Sequence, residues 1–134
     1  MKRYYVTSMI ILLVMQVSLA QTQVSLLDKD HVREYLSLSN EQFEKINLKI
    51  NNIKQILEED KKIIAEIKER VKNGDEPGFF EKIGVKRGHD KRSSKIEDLI
   101  DDIEDQLTDQ QKTKFDDIEK PELNALNKED VFGK

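Results

Sequence analysis

Cysteine and tryptophan are absent from the 134 residues, glycine occurs five times and proline twice. Without cysteine there is no disulfide, no thiol nucleophile and no thiolate metal site, and no lipid can be attached to a cysteine at a mature N-terminus. With so little proline and glycine to punctuate it, the chain points to helix nearly throughout. A basic excess is also missing: 23 Lys and Arg stand against 27 Asp and Glu, a net charge of −4. A nucleic-acid partner would need a basic face that displaces counterions from phosphates, and an anionic lipid surface would need one as well. Neither partner fits. No GxxxxGK[ST] phosphate loop is present. There is no Ser/His/Asp or Cys/His set, and the many carboxylates have no pocket context, so the chain reads as a non-enzyme with no cofactor.

Long apolar runs are confined to the start. Met1-Lys2-Arg3 is basic, Tyr4 to Val17 is mainly apolar around Ile10-Ile11-Leu12-Leu13-Val14-Met15, and Ser18-Leu19-Ala20 puts small residues where a signal peptidase reads. This three-part form predicts a cleavable signal peptide over residues 1–20 and hence export. The alternative, a membrane anchor, is opposed by a run short of the roughly 20 residues a span needs and interrupted by Thr7, Ser8 and Gln16. Without residues 1–20, which carry two bases and no acid, 21 bases and 27 acids remain, a net of −6. The remaining single domain, 21–134, has few large apolar residues and can bury only a thin core. That predicts an extended helical hairpin or an intertwined dimer.

The helices can be placed from periodicity. A short one is expected over about Leu27 to Leu36, with Val32, Tyr35 and Leu36 inward. Phe43, Ile46, Ile50, Ile53, Leu57, Asp60, Ile64, Ile67 and Val71 follow at spacings of three and four, a coiled-coil-like seam with one polar interruption at Asp60. It predicts a long helix from Asn40 to Lys72, ended by Asn73-Gly74. Gly74, Gly78, Gly84, Gly88 and Pro77 cluster, so residues 73–90 are expected to be a glycine-rich loop. A third helix is expected over Lys91 to Gln106, with Ile96, Leu99, Ile100 and Ile103 inward and an acidic outer face read as solvated. The fourth should begin at Asp109, carry Phe115 and Ile118 inward and stop or kink at Pro121, which could instead open a short turn through Leu126. The tail from Asn127 is expected to fray. The fold class is thus all-α, a helical hairpin of about four helices.

Two helix starts share one pattern: Leu38-Ser39-Asn40-Glu41-Gln42 and Leu107-Thr108-Asp109-Gln110-Gln111. In each, Ser39 or Thr108 can cap the amide three residues on, while Gln42 or Gln111 reaches back to the cap's own amide. Such a cap contributes about 1 kcal/mol. Leu38 can staple onto Phe43; the second copy has Lys112 there, so Leu107 should pack elsewhere, against Phe115.

With these two motifs in this order along a small helical chain, the sequence resembles the Spy/CpxP family of periplasmic proteins, named for its paired LTxxQ motifs. Leu107 to Gln111 matches the motif to the letter. Leu38 to Gln42 has serine for threonine, which keeps the hydroxyl cap. The resemblance spans the whole mature chain. It implies a cradle-shaped, antiparallel homodimer in the periplasm, with ATP-independent chaperone activity or control of an envelope stress response. The charge departs from the family's best-known chaperone, whose client-binding face is basic. From Ile96 to Asp130 there are 13 acids and 4 bases, a net of −9. Bases gather instead at Lys82, Lys86, Arg87, Lys91, Arg92 and Lys95.

The leading functional expectation is therefore a holdase-like chaperone that binds unfolded or partly folded proteins through weak, adaptable contacts. Its candidate client contacts are Phe79, Phe80, Ile83 and Val85 with Lys82, Lys86 and Arg87; the plainer alternative is that the apolar residues tack a loop onto the helices. One rival is a regulator docking on an envelope sensor protein through the heptad seam. Another is a metal-responsive protein, for which only His31 and His89 are available, His31 with Glu34 three residues on. The plainer reading of that pair is a surface histidine beside an ordinary helix charge.

Overall fold

The structure is a computed structural model that describes residues 22–132; the expected signal peptide lies outside them. Among the described residues five helices follow in order: α1 (Lys29–Leu36), α2 (Asn40–Lys72), α3 (Phe79–Glu104), α4 (Asp109–Phe115) and α5 (Lys128–Phe132). The fold is all-α, and the sole β feature among the described residues is an isolated parallel bridge between Ser25 and Glu119. No helix among them is long and apolar enough to cross a membrane.

Helices α2 and α3 form an antiparallel hairpin. The heptad pattern sets its inner face: Ile46, Ile50, Ile53, Asp60 and Ile67 of α2 are buried, opposite Ile96, Leu99 and Ile103 of α3. At the open end of the hairpin, α1, α4 and the segments around Leu26 and Ile118 close the main core. Leu26, Val32 and Phe115 have no exposed surface there. The backbone bonds Leu26 N–H to Glu119 O (2.9 Å) and Glu119 N–H to Val24 O (2.8 Å) tie the two segments together. Leu38 and Leu107 both join this core, with Phe43 packed at its edge.

The expected glycine-rich loop over 73–90 is mostly helix. Only Asn73–Gly78 connects the arms, and α3 begins at Phe79 rather than Lys91. Glycine in a helix interior costs about 1 kcal/mol, which two glycines do not make prohibitive when the helix packs on a long partner. Glycine density therefore misplaced the boundary, whereas the heptad phase of α3, continued backwards from Ile103 through Leu99, Ile96, Arg92, His89 and Val85, runs through it. The true turn is short because Gly74 takes φ +84°, a left-handed conformation that side chains disfavour. Arg70 reinforces it by donating to Asp75 (2.8 Å) and to Glu81. That guanidinium holds both carboxyls below their ordinary range.

The C-terminal tail also departs from expectation. Residues 121–127 have no regular structure and no helical turn through Leu126, and Leu123 to Leu126 line a cleft with Asp60, Ile64 and Lys68 of α2. Instead of fraying, Lys128–Phe132 forms α5. Val131 and Phe132 are buried against Ile67, a second small core near the hairpin tip, with Ile64, Val71, Val85 and Leu126 at its edge. An apolar pair at the end of the helix outweighs the usual tendency of termini to loosen.

Gly84 sits in α3 with open space where a Cβ would stand. Replacing it with alanine should raise unfolding stability by about 0.5–1 kcal/mol in urea denaturation, whereas alanine at Gly74 should lower it by about 1 kcal/mol. A loss of stability in Gly84→Ala would mean that this stretch is not helical in solution.

Candidate functional site

The two motifs meet. Each makes the expected capping box: Ser39 Oγ accepts from Gln42 N–H (3.1 Å) and Ser39 N–H donates to Gln42 Oε1 (3.1 Å); Gln111 N–H donates to Thr108 Oγ1 (3.3 Å) and Thr108 N–H to Gln111 Oε1 (3.0 Å). The two glutamine amides then pair with one another. Gln42 Nε2 donates to Gln111 Oε1 at 2.8 Å, and Gln111 Nε2 donates to Gln42 Oε1 at 3.2 Å. The second hydrogen of each amide goes to a backbone carbonyl: Gln42 to Gln106 O (2.8 Å) and Gln111 to Leu36 O (3.1 Å).

This arrangement explains why both motifs end in glutamine. Either Glu or Gln completes a capping box, but only an amide also donates. Leu36 ends α1 and Gln106 lies just past α3, where carbonyls have no partner within their own helix. The pair therefore satisfies two helix starts and two helix ends at one point. Sequence reasoning found each capping box but not their meeting, which follows from tertiary packing.

A second polar cluster crosses the hairpin midway. Asp60, the interruption in the α2 seam, and His89 of α3 are each 5% exposed. His89 Nδ1 faces Asp60 Oδ1 at 2.9 Å and Oδ2 at 3.1 Å, and its Nε2 faces Asn124 O at 2.9 Å. Arg92 Nε donates to Asp60 Oδ1 at 2.8 Å. A Cβ on Gly88 would stand 3.1 Å from Arg92 Nη1, so glycine there leaves the guanidinium room to reach Asp60. Asp60, His89 and Arg92 all occupy heptad positions, and that shared phase was the available signal for the cluster. Both ring nitrogens of His89 are engaged, which removes it as a metal ligand. His31 and Glu34 are exposed on α1, and no group of three or more His, Cys, Asp or Glu among the described residues is placed to hold a metal ion.

The candidate client contacts lie at the hairpin tip, on helix rather than loop. Phe79 is 73% exposed and Phe80 85% exposed, their rings edge to face at 5.5 Å between centroids. A groove of about 210 Å³ beside them is lined by Phe79, Lys82, Ile83, Lys86, Leu126, Lys128 and Phe132. Ile83 and Val85 are half-buried: Val85 packs at the edge of the second core, while Ile83 lines the groove. Arg87 is exposed but does not line the groove. Lys82 pairs with Glu76 (2.6 Å) and Lys86 with Asp90 (2.7 Å), while Arg92 turns inward. The expected basic surface is thus partly neutralised. Lys86 in turn holds the Asp90 carboxyl below its usual range.

No family model, curated protein or solved structure matches the chain.

Gln42→Glu keeps the capping acceptor but turns a carboxylate toward the Gln106 carbonyl and loses two donated bonds. Its stability should fall by roughly 2–3 kcal/mol at neutral pH. Because the native environment disfavours the charged form, the folded-state pKa of the new carboxyl should lie above its unfolded value. Part of the loss should therefore return as pH falls through that raised pKa. Urea denaturation at neutral and mildly acidic pH checks both points.

Proposed function

We propose that this chain is an exported, ATP-independent holdase of the Spy/CpxP kind that binds unfolded or partly folded envelope proteins in the periplasm and works as a homodimer. The observation that carries the reading is the exposed Phe79–Phe80 pair beside an apolar groove with lysines at its rim. Large aromatic side chains this open to solvent, next to a concave apolar surface, suit a polypeptide ligand. Salt-bridged lysines around the groove favour contacts that are individually weak and easily rearranged, as a client that folds while bound requires. The two motifs give the reading its second support, since their pairing braces a scaffold that displays the tip.

The rival reading as a regulator docking on a sensor protein through the heptad seam has less support, because Ile46, Ile50, Ile53 and Ile67 of that seam are buried within the chain itself. The metal-responsive reading has no comparable support, because His89 is fully engaged within the fold and His31 is left with Glu34 alone.

Phe79→Ser/Phe80→Ser should retain helicity and lose most of the protection that the protein gives an aggregating model client, measured by light scattering. Undiminished protection would remove the tip as the client site. Stoichiometric capture of one envelope protein, with no effect on unfolded clients, would favour the regulator instead.

A further inference from the structure

His89 occupies a position where hydrogen-bond geometry fixes its charge. Asn124 O is a carbonyl and can only accept, so Nε2, 2.9 Å away, must carry a hydrogen. On the other side, the Asp60 carboxylate already accepts from Arg92 and is ionised beside that guanidinium. It too can only accept, so Nδ1 at 2.9 Å must also carry a hydrogen. A histidine that donates from both nitrogens is an imidazolium. We infer that protonated His89 is a latch that holds the C-terminal segment, Pro121–Phe132, across the hairpin, and that loss of this proton releases the segment.

The direction follows from which bond is lost. A neutral imidazole has a single N–H. Kept on Nδ1, it donates to an ionised carboxylate that is itself buried; kept on Nε2, it donates to a neutral carbonyl and leaves a lone pair facing Asp60. Charge-assisted bonds are the stronger, so the proton stays toward Asp60 and Asn124 is let go. The charged groups around the ring are of both signs, with Asp60 the one in direct contact with it. From α2, Asp60 is opposite the ring, and Lys61 and Lys68 line the cleft between α2 and the tail. From α3 come Arg92 and Asp90, and from the tail itself Glu122. Arg92 satisfies Asp60 whatever the state of His89, so deprotonation leaves the hairpin joined and frees only the tail. What the tail then uncovers is apolar: Ile64, Ile67 and Val71 of α2, which Val131 and Phe132 cover. The latch is closed while both ring nitrogens of His89 carry hydrogens and opens when only Nδ1 does.

The chain has two histidines, so His31→Asn leaves His89 as the sole imidazole. In that variant, amide hydrogen exchange over Leu123–Phe132, corrected for intrinsic rates, should be at least about tenfold slower at about pH 5.5 than at about pH 8.5. Exchange over Phe43–Leu57 should not change. Nitrogen-15 spectra of the ring should show both nitrogens protonated while the tail is protected. Asp60→Asn supplies a side chain that can donate to Nδ1, so neutral His89 can keep its hydrogen on Nε2. In that background the tail should stay protected at both pH values. In His31→Asn with Asp60 intact, equal tail protection at both pH values, or a lone pair on either ring nitrogen while the tail is protected, would overturn the latch.

Discussion

The amide pair between Gln42 and Gln111 is the contact on which the base of the molecule depends. The N-termini of α2 and α4 and the C-terminal ends of α1 and α3 converge there. Each brings backbone groups that no partner within its own helix can satisfy. Gln42 and Gln111 are half-buried there, so water reaches the node only in part, and a polar group left unpaired away from water costs about 1–3 kcal/mol. Two primary amides, each with two hydrogens and an oxygen that accepts twice, meet the demand. Because each amide is anchored by its own capping box, its orientation is set before the partner arrives. The node therefore fixes how α1 and α4 sit on the hairpin as well as closing four helix ends.

Away from the base the chain has little apolar material, and its arms are held by a different device. The main core ends near Leu57, and the tip core of Ile67, Val131 and Phe132 is small. Between them stands the buried Asp60–His89–Arg92 cluster. Such a cluster adds less net stability than apolar residues of similar size would, but it penalises any register in which the three do not meet. A heptad seam of isoleucines can slide by a whole repeat with modest loss; one that contains a buried charge set cannot. The polar interruption in the pattern thus specifies how α2 and α3 align.

Much of this was legible in the sequence, and the exceptions have a common cause. The boundaries of α2 and the starts of α2 and α4 were read correctly because periodicity and capping are local. Over 73–90 the two local signals conflict: Gly84 and Gly88 point to a loop, whereas His89 and Arg92, on the α3 seam, continue the heptad phase and are the better guide. The tail was expected to fray because nothing local shows that Val131 and Phe132 find Ile67, some 60 positions earlier in the chain. The same distance hid the glutamine pair. Of the proposed client contacts, exposure separates Phe79 and Phe80 from Ile83 and Val85, a distinction that composition alone could not make.

The most direct test of the central claim is side-chain amide NMR of Gln42 and Gln111. All four Nε2 hydrogens are engaged, so both amides should show slow exchange with water and cross-relaxation between the two side chains. Rapid exchange at both, with no cross-relaxation between them, would show that the motifs cap their own helices independently and that something else holds the base together.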